Sequence, residues 1–176
     1  DFKYKKIAIL NHDIQIKTFV ELAGAVPYDT TLSTFSNDFN KGNIDIVIMP
    51  AIAYNTFELY KGLGKEGGIL DLRLFYGMIQ AIARTSVFPE GFGIKMRQYM
   101  VGRLSAIISM IDDAEDSIPM KYWIKTSQET KDELDYFYKD IRLNLKVENK
   151  FHPKALSLLW KVRCMSSPNR EECIMP

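Results

Sequence analysis

The sequence predicts an α/β fold, with a mostly parallel sheet of about five strands flanked by helices and followed by a helical C-terminal segment. Three observations carry this expectation. Short β-like runs alternate with helical ones before Ser86. Residues 44–49 are almost continuously apolar, as a strand covered on both faces of a parallel sheet must be. After Ser86 the apolar spacing becomes helical. The expected division is residues 1–86 as an α/β lobe and residues 87–176 as a helical segment packed on it, within one structural domain.

Taken in order, residues 6–10 read as a strand, and residues 14–23 as a helix with Ile16, Phe19, Val20 and Ala23 on one face and Gly24 as its stop. A short run at 25–28 precedes a helix over 31–40, with Leu32, Phe35 and Phe39 aligned, closed by the turn signal Lys41-Gly42-Asn43. The strand at 44–49 ends at Pro50, and a helix over 51–63 finishes at Gly62 and Gly64. Residues 69–74 and 76–84 look apolar and extended. A helix over 91–112 then carries Met96, Met100, Leu104, Ile107, Ile108 and Ile111 along one stripe. The capping box Thr126-x-x-Glu129 opens a second helix through Leu134, Phe137, Tyr138, Ile141 and Leu145. Pro153 begins a third, with Ala155, Leu156, Leu159 and Trp160.

Composition excludes several classes of function. With 47% apolar and 26% charged residues among 176, the chain is an ordinary globular one, large enough for one substantial core. Lysine and arginine number 23 against 22 acidic residues, a formal charge of +1, so there is no electrostatic footprint for nucleic acid. The longest apolar runs, 44–53 and 101–111, are interrupted by Asp45, Gly102, Arg103 and Ser105 and fall short of the ~20 residues a bilayer span needs, so no membrane insertion is expected. The first residues carry no signal-peptide core, which a mature exported chain would already have lost.

Cys164 and Cys173 flank a polar, proline-containing stretch that can fold back on itself. A local disulfide is the expected reading, and it implies an oxidising compartment. Two unpaired thiols are the alternative. A zinc cage is not expected, because no histidine lies nearby.

Candidate motifs each have a structural alternative. Gly62-Leu-Gly64-Lys-Glu-Gly67 matches a dinucleotide-binding turn, but it closes a helix and leads into a strand, the reverse of what a pyrophosphate site requires. Asn11, His12 and Asp13 lie where the first strand ends and the next helix begins, the place where open α/β sheets contact ligands, although Asn11 or Asp13 can equally serve as an N-cap. The same crevice should receive Pro50, Ala51, Tyr54 and Asn55, with Tyr54 open to a packing role instead. Arg84 can clamp an anion or simply be solvated, and Gln80 precedes it on the same run. His152, just before Pro153, fits a turn into a helix. Asp112, Asp113, Glu115 and Asp116 read as a solvated helix end, with calcium as the competing reading. No nucleophile elbow or reactive cysteine setting is present, so no enzyme is expected, nor any metal or cofactor.

Lys5-Lys6-Ile-Ala-Ile-Leu10, Phe39-Asn40-x-Gly42-x-x-Asp45-Ile46, Met49-Pro50-Ala51-x-Ala53-Tyr54, Glu58-Leu-Tyr60-Lys61-Gly62-Leu-Gly64 and Gly67-Gly68-Ile69 together resemble the AdeT-like solute-binding proteins, distant relatives of the extracytoplasmic receptors of TRAP transporters. The resemblance implies a periplasmic binding-protein fold in which two α/β lobes close on a small-molecule solute and deliver it to a membrane transporter subunit. It implies that this chain looks like the second lobe with its C-terminal helices. A lone lobe would expose an apolar face, and such a face makes self-association an expectation where the first lobe is absent. The receptors for organic acids generally hold a carboxylate with arginine at the end of this lobe's first strand. Here that strand runs into Asn11, so Asn11, Tyr54 and Asn55 point to a more neutral ligand. The expected location is periplasmic. The competing expectation is a non-catalytic interaction module of an envelope transport or efflux complex.

Overall fold

The computed structural model describes residues 2–11, 13–72, 74 and 82–174. The fold is α/β and mostly helical, and it divides into two compact units. The first comprises residues 1–35, 44–46 and 127–176, the second residues 36–43 and 47–126. The C-terminal helical segment is therefore shared between them, its residues 87–126 in the second unit and 127–176 in the first.

The first unit is built on β1 (Lys6–Leu10), which pairs in parallel with β2 (Val26–Thr30) from Lys6 opposite Val26 to Leu10 opposite Thr30. On its other edge β1 makes a parallel bridge at Ile7 to Ile46, with Ala8 N–H donating to the Ile46 carbonyl at 3.0 Å. Pairing on both edges and packing on both faces explain why Ile7, Ala8 and Ile9 are all buried. Helix α1 (Ile14–Leu22) crosses between the strands and buries Ile16, Phe19 and Val20. Phe19 is fully enclosed, edge-on to Phe2 at 5.4 Å and to Phe137 at 5.5 Å, and stacked on Tyr138 at 6.4 Å. Phe137 and Tyr138 belong to α6 (Gln128–Val147), whose Ile141 and Leu145 complete the buried stripe. Helices α7 (Pro153–Ser166) and α8 (Glu171–Ile174) follow.

The second unit contains most of α2 (Phe35–Asn40), then α3 (Ala53–Thr56), β3 (Ile69–Leu70), α4 (Phe92–Gly102), α5 (Leu104–Asp116) and β4 (Trp123–Ile124). β3 and β4 pair in parallel. Phe39, Ala53, Tyr54, Leu59 and Ile118 are its buried apolar residues. Gly62 is a glycine for a steric reason: a Cβ there would stand 2.6 Å from Phe39 Cδ1.

The structure corrects several expectations. Among the described residues the sheets have two strands each, plus the bridge at Ile46, so the sheet of about five strands is not formed there. The run 44–49 contributes only that bridge, and Asp45 instead caps the strand start by accepting from Lys6 N–H at 2.8 Å. Most of 76–84 lies outside the described residues. The helix expected over 31–40 begins only at Phe35, because the hydroxyls of Thr30, Thr31, Ser33 and Thr34 bond one another and the backbone in a turn that competes with helix. The helix expected over 51–63 breaks at Glu58, whose φ of 52° is left-handed. The helix over 91–112 is interrupted after Gly102, where Arg103 N–H turns back to the Met100 carbonyl. The cap of α6 is Ser127, accepting from Thr130 N–H, in place of Thr126.

Candidate functional site

Asp13 is the N-cap of α1, its Oδ1 accepting from Ile16 N–H at 3.0 Å, and Asn11 lies exposed at the end of β1. Both belong to the first unit. The capping alternative therefore holds for Asp13, while Asn11 keeps its side chain in solvent. His12 and Gln80 lie outside the described residues.

Pro50, Ala51, Tyr54 and Asn55 gather in the second unit on a single tight segment. The Pro50 carbonyl accepts from Ala53 N–H and the Ala51 carbonyl from Tyr54 N–H, so a turn rigidified by Pro50 runs directly into α3. Tyr54 is buried, its ring 5.8 Å from that of Tyr60 and 6.4 Å from that of Tyr122. Burial, with smaller contributions from Tyr122 and Tyr60, pushes its hydroxyl above the ordinary phenol range, so it stays a proton donor at neutral pH. Packing thus accounts for the ring of Tyr54. Lys121 sits 4.8 Å over the Tyr122 ring and adds a cation to this aromatic wall.

Asn55 is oriented by a partner that sequence spacing does not reveal. Its Nδ2 donates to Ser117 Oγ at 2.9 Å across 62 residues, and Ser117 Oγ donates to the Ala114 carbonyl at 2.7 Å. The serine hydroxyl thereby fixes the amide, leaving Asn55 Oδ1 as an acceptor. Arg84 lies in the same unit, exposed, and no hydrogen bond or ion pair joins it to this segment among the described residues. Of these residues the Asn55 amide stands exposed, while the Tyr54 ring is buried.

A second constellation lies at the end of the first unit. Cys164 and Cys173 form the expected disulfide, with Cα atoms 5.5 Å apart. It fixes the chain beside Glu172, whose carboxylate accepts from Arg163 Nε at 3.0 Å and from Arg142 at 3.2 Å, with Arg170 Nη1 3.7 Å away. Burial raises the Glu172 carboxyl, but the Arg163 hydrogen bond and the charges of Arg142, Arg163 and Arg170 outweigh it and hold the group below the ordinary carboxylate range. Trp160 donates its indole N–H to the Glu172 carbonyl at 3.0 Å. A cleft of about 350 Å³ beside this cluster is lined by Asp132, Asp135, Arg142, Arg170 and Glu172 among others. None of the sequence-predicted ligand residues lies on it. No local pattern announces it, because its arginines come from α6, α7 and the loop between the cysteines.

His152 caps α7 through Nδ1, which accepts from Lys154 N–H, so it serves the turn into that helix. Gly62, Gly64 and Gly67 close a helical turn ahead of β3, the reversed context anticipated for that glycine string. Asp112, Asp113, Glu115 and Asp116 lie in the last turns of α5. Among the described residues no group of three or more His, Cys, Asp and Glu is arranged to hold a metal ion.

Comparison with known proteins defines the class. Residues 2–176 match the family described as Solute-binding protein AdeT 1/2. The chain belongs to this family of solute-binding proteins. It is 32% identical over 173 residues to the probable solute-binding protein AdeT1 of Acinetobacter baumannii, covering 97% of this chain and 56% of that protein. It is 24% identical over 171 residues to the probable solute-binding protein AdeT2 of the same organism, covering 97% of this chain and 72% of that one. The chain thus spans little more than half the length of the first relative. No solved structure matches it.

Proposed function

We propose that the chain is part of a periplasmic receptor that captures a small-molecule solute for a transport system, without catalysing a reaction. The observation that carries this reading is membership, along nearly its whole length, in a family of solute-binding proteins. The Cys164–Cys173 disulfide agrees with an oxidising compartment. No described helix is long and apolar enough to cross a membrane. In this reading the chain corresponds to the second lobe of a TRAP-like receptor, and a transporter subunit is its partner. The residues assigned to ligand contact in this reading are Asn11, His12 and Asp13 in the first unit and Pro50, Ala51, Tyr54, Asn55, Gln80 and Arg84 in the second. Lobe closure draws its energy from the ligand's differential affinity for the closed state. The absence of an arginine at the end of the first strand favours a neutral solute over a carboxylate.

Mass spectrometry of small molecules co-purified with the chain tests this, followed by thermal shift with each candidate. A receptor gives a solute that raises the melting temperature, and Asn11→Ala and Asn55→Ala each weaken that rise while the proteins remain folded. Solute-induced stabilisation untouched by both substitutions would overturn the residue assignment, and no stabilising solute at all would overturn the receptor. One observation favours the interaction module instead: the apolar residues of α4 and α5 are exposed along both helices. A chain that assembles with a partner and ignores solutes would decide for that second reading.

A further inference from the structure

We propose that the cleft between α6 and the disulfide loop binds short peptides by their two charged ends, at a site separate from the one assigned above to the solute. Its volume of about 350 Å³ falls within the range of small-molecule sites. One wall is a single face of α6, on which Asp132, Asp135, Tyr136 and Arg142 recur at helical spacing. The other is Asn169, Arg170 and Glu172, which lie between the two cysteines. All of these residues belong to the first unit. The Cys164–Cys173 bond closes the second wall into a ring, and the contacts of Glu172 with Arg142 and Arg163 tie that ring to α6 and α7. The walls are thus fixed before any ligand arrives, which lowers the cost of binding.

The polar groups left unspent define the ligand. Asp135 is taken up by Arg170, whose Nη2 stands 3.1 Å from its carboxylate, and Glu172 by Arg142 and Arg163. Lys139, on the same face of α6, is engaged as well. Asp132 keeps one oxygen, since only its Oδ1 accepts from Gln128, at 2.8 Å. Arg142 spends only Nη2 on Glu172, so its Nε and Nη1 have no partner among the described residues. The Tyr136 hydroxyl and the Asn169 amide likewise have none among the described residues, and both side chains are exposed. The cleft therefore offers an acceptor for an ammonium at Asp132, charged donors for a carboxylate at Arg142, and a phenol and an amide for peptide groups. A simple anion would meet Asp132 and a simple cation Arg142, so the charges favour a zwitterion. Asp132 and Arg142 are ten residues apart on one helix, about 15 Å along its axis. Helical side chains lean toward the N-terminus, which brings the long arm of Arg142 back toward Asp132. A tripeptide, extended at about 3.3–3.6 Å per residue, carries its ammonium and carboxylate roughly 10 Å apart and spans what remains, whereas a free amino acid cannot reach both.

Isothermal titration calorimetry of the whole chain with triglycine tests the proposal. Saturable one-to-one binding is expected, weakened about tenfold or more by N-acetylation, by C-terminal amidation, or by shortening the peptide to glycine. Asp132→Asn, on an exposed side chain, should weaken triglycine to a similar degree yet leave N-acetyl-triglycine unchanged, since that ligand brings no ammonium. Arg142→Lys should weaken triglycine while sparing triglycinamide. Because Arg142 also holds Glu172, circular dichroism checks the fold of that variant, and Asp132→Asn decides alone where it unfolds. Asn55→Ala, at the site assigned to the solute, should leave triglycine binding intact. Absence of triglycine binding would overturn the proposal. So would binding indifferent to either cap or to Asp132→Asn, or binding abolished by Asn55→Ala.

Discussion

Arg163 lays its guanidinium against the carboxylate of Glu172, Nε to Oε1 at 3.0 Å and Nη2 to Oε2 at 3.3 Å, a bidentate contact between α7 and α8. Arg142 approaches the same carboxylate from α6, so one acid neutralises guanidinium groups from separate elements. Removing the charge should leave Arg142 and Arg163 uncompensated in a half-buried setting. Glu172→Gln is expected to lower stability by about 2 kcal/mol, measured by urea unfolding.

The same pair sets an acid dependence. The Glu172 carboxyl is held below its ordinary value of 4.5 in the folded chain. A depressed folded value means that its stabilisation is complete above the unfolded value and is lost as the pH falls through the folded one. The stability difference between wild type and Glu172→Gln should therefore be constant near neutrality and shrink progressively below about pH 4.5. Unfolding curves of the two proteins across acid pH check this directly.

Reduction should act on the same region. The disulfide closes a loop with a sequence separation of 9. Cys164→Ser with Cys173→Ser is expected to cost about 2–3 kcal/mol. Because Cys173 adjoins Glu172, the cysteine changes and Glu172→Gln should be non-additive, the combined loss falling short of the sum by at least ~0.5 kcal/mol. A double-mutant cycle measures that coupling.

At the other end of the unit, Asp13 caps α1 with a hydrogen bond to Ile16 N–H. Asp13→Ala should destabilise by about 1 kcal/mol and Asp13→Ser by much less, since serine supplies the same acceptor. If Asp13 also contacts solute, Asp13→Ser will weaken solute-induced thermal stabilisation more than it weakens the fold.

Local signals were legible where the chain punctuates itself. Asp13, Gly24, His152-Pro153 and the cysteine pair each mark a boundary whose cause lies within a few residues, and each stands in the structure as read. The strand at Val26–Thr30 was harder to see, because Pro27 and Asp29 argue against a strand. Its pairing is supplied by β1, twenty residues earlier. Helix breaks at Glu58 and Arg103 were invisible, since neither residue type predicts a stop. For the candidate site, Tyr54 and Asn55 could be singled out from the chain, but the Ser117 hydroxyl that orients Asn55 could not. Its role exists only once the end of α5 is brought beside α3. The arginines around Glu172 escaped for the same reason: each looks solvated until distant helices converge.

The bond between Cys164 and Cys173 makes the last stretch of the chain a small ring with Arg170 on its circumference. Tryptic scission after Arg170 would open that ring without releasing the fragment beyond it. Such nicked molecules would run as intact protein on a non-reducing gel and shed their final six residues only when thiol is added.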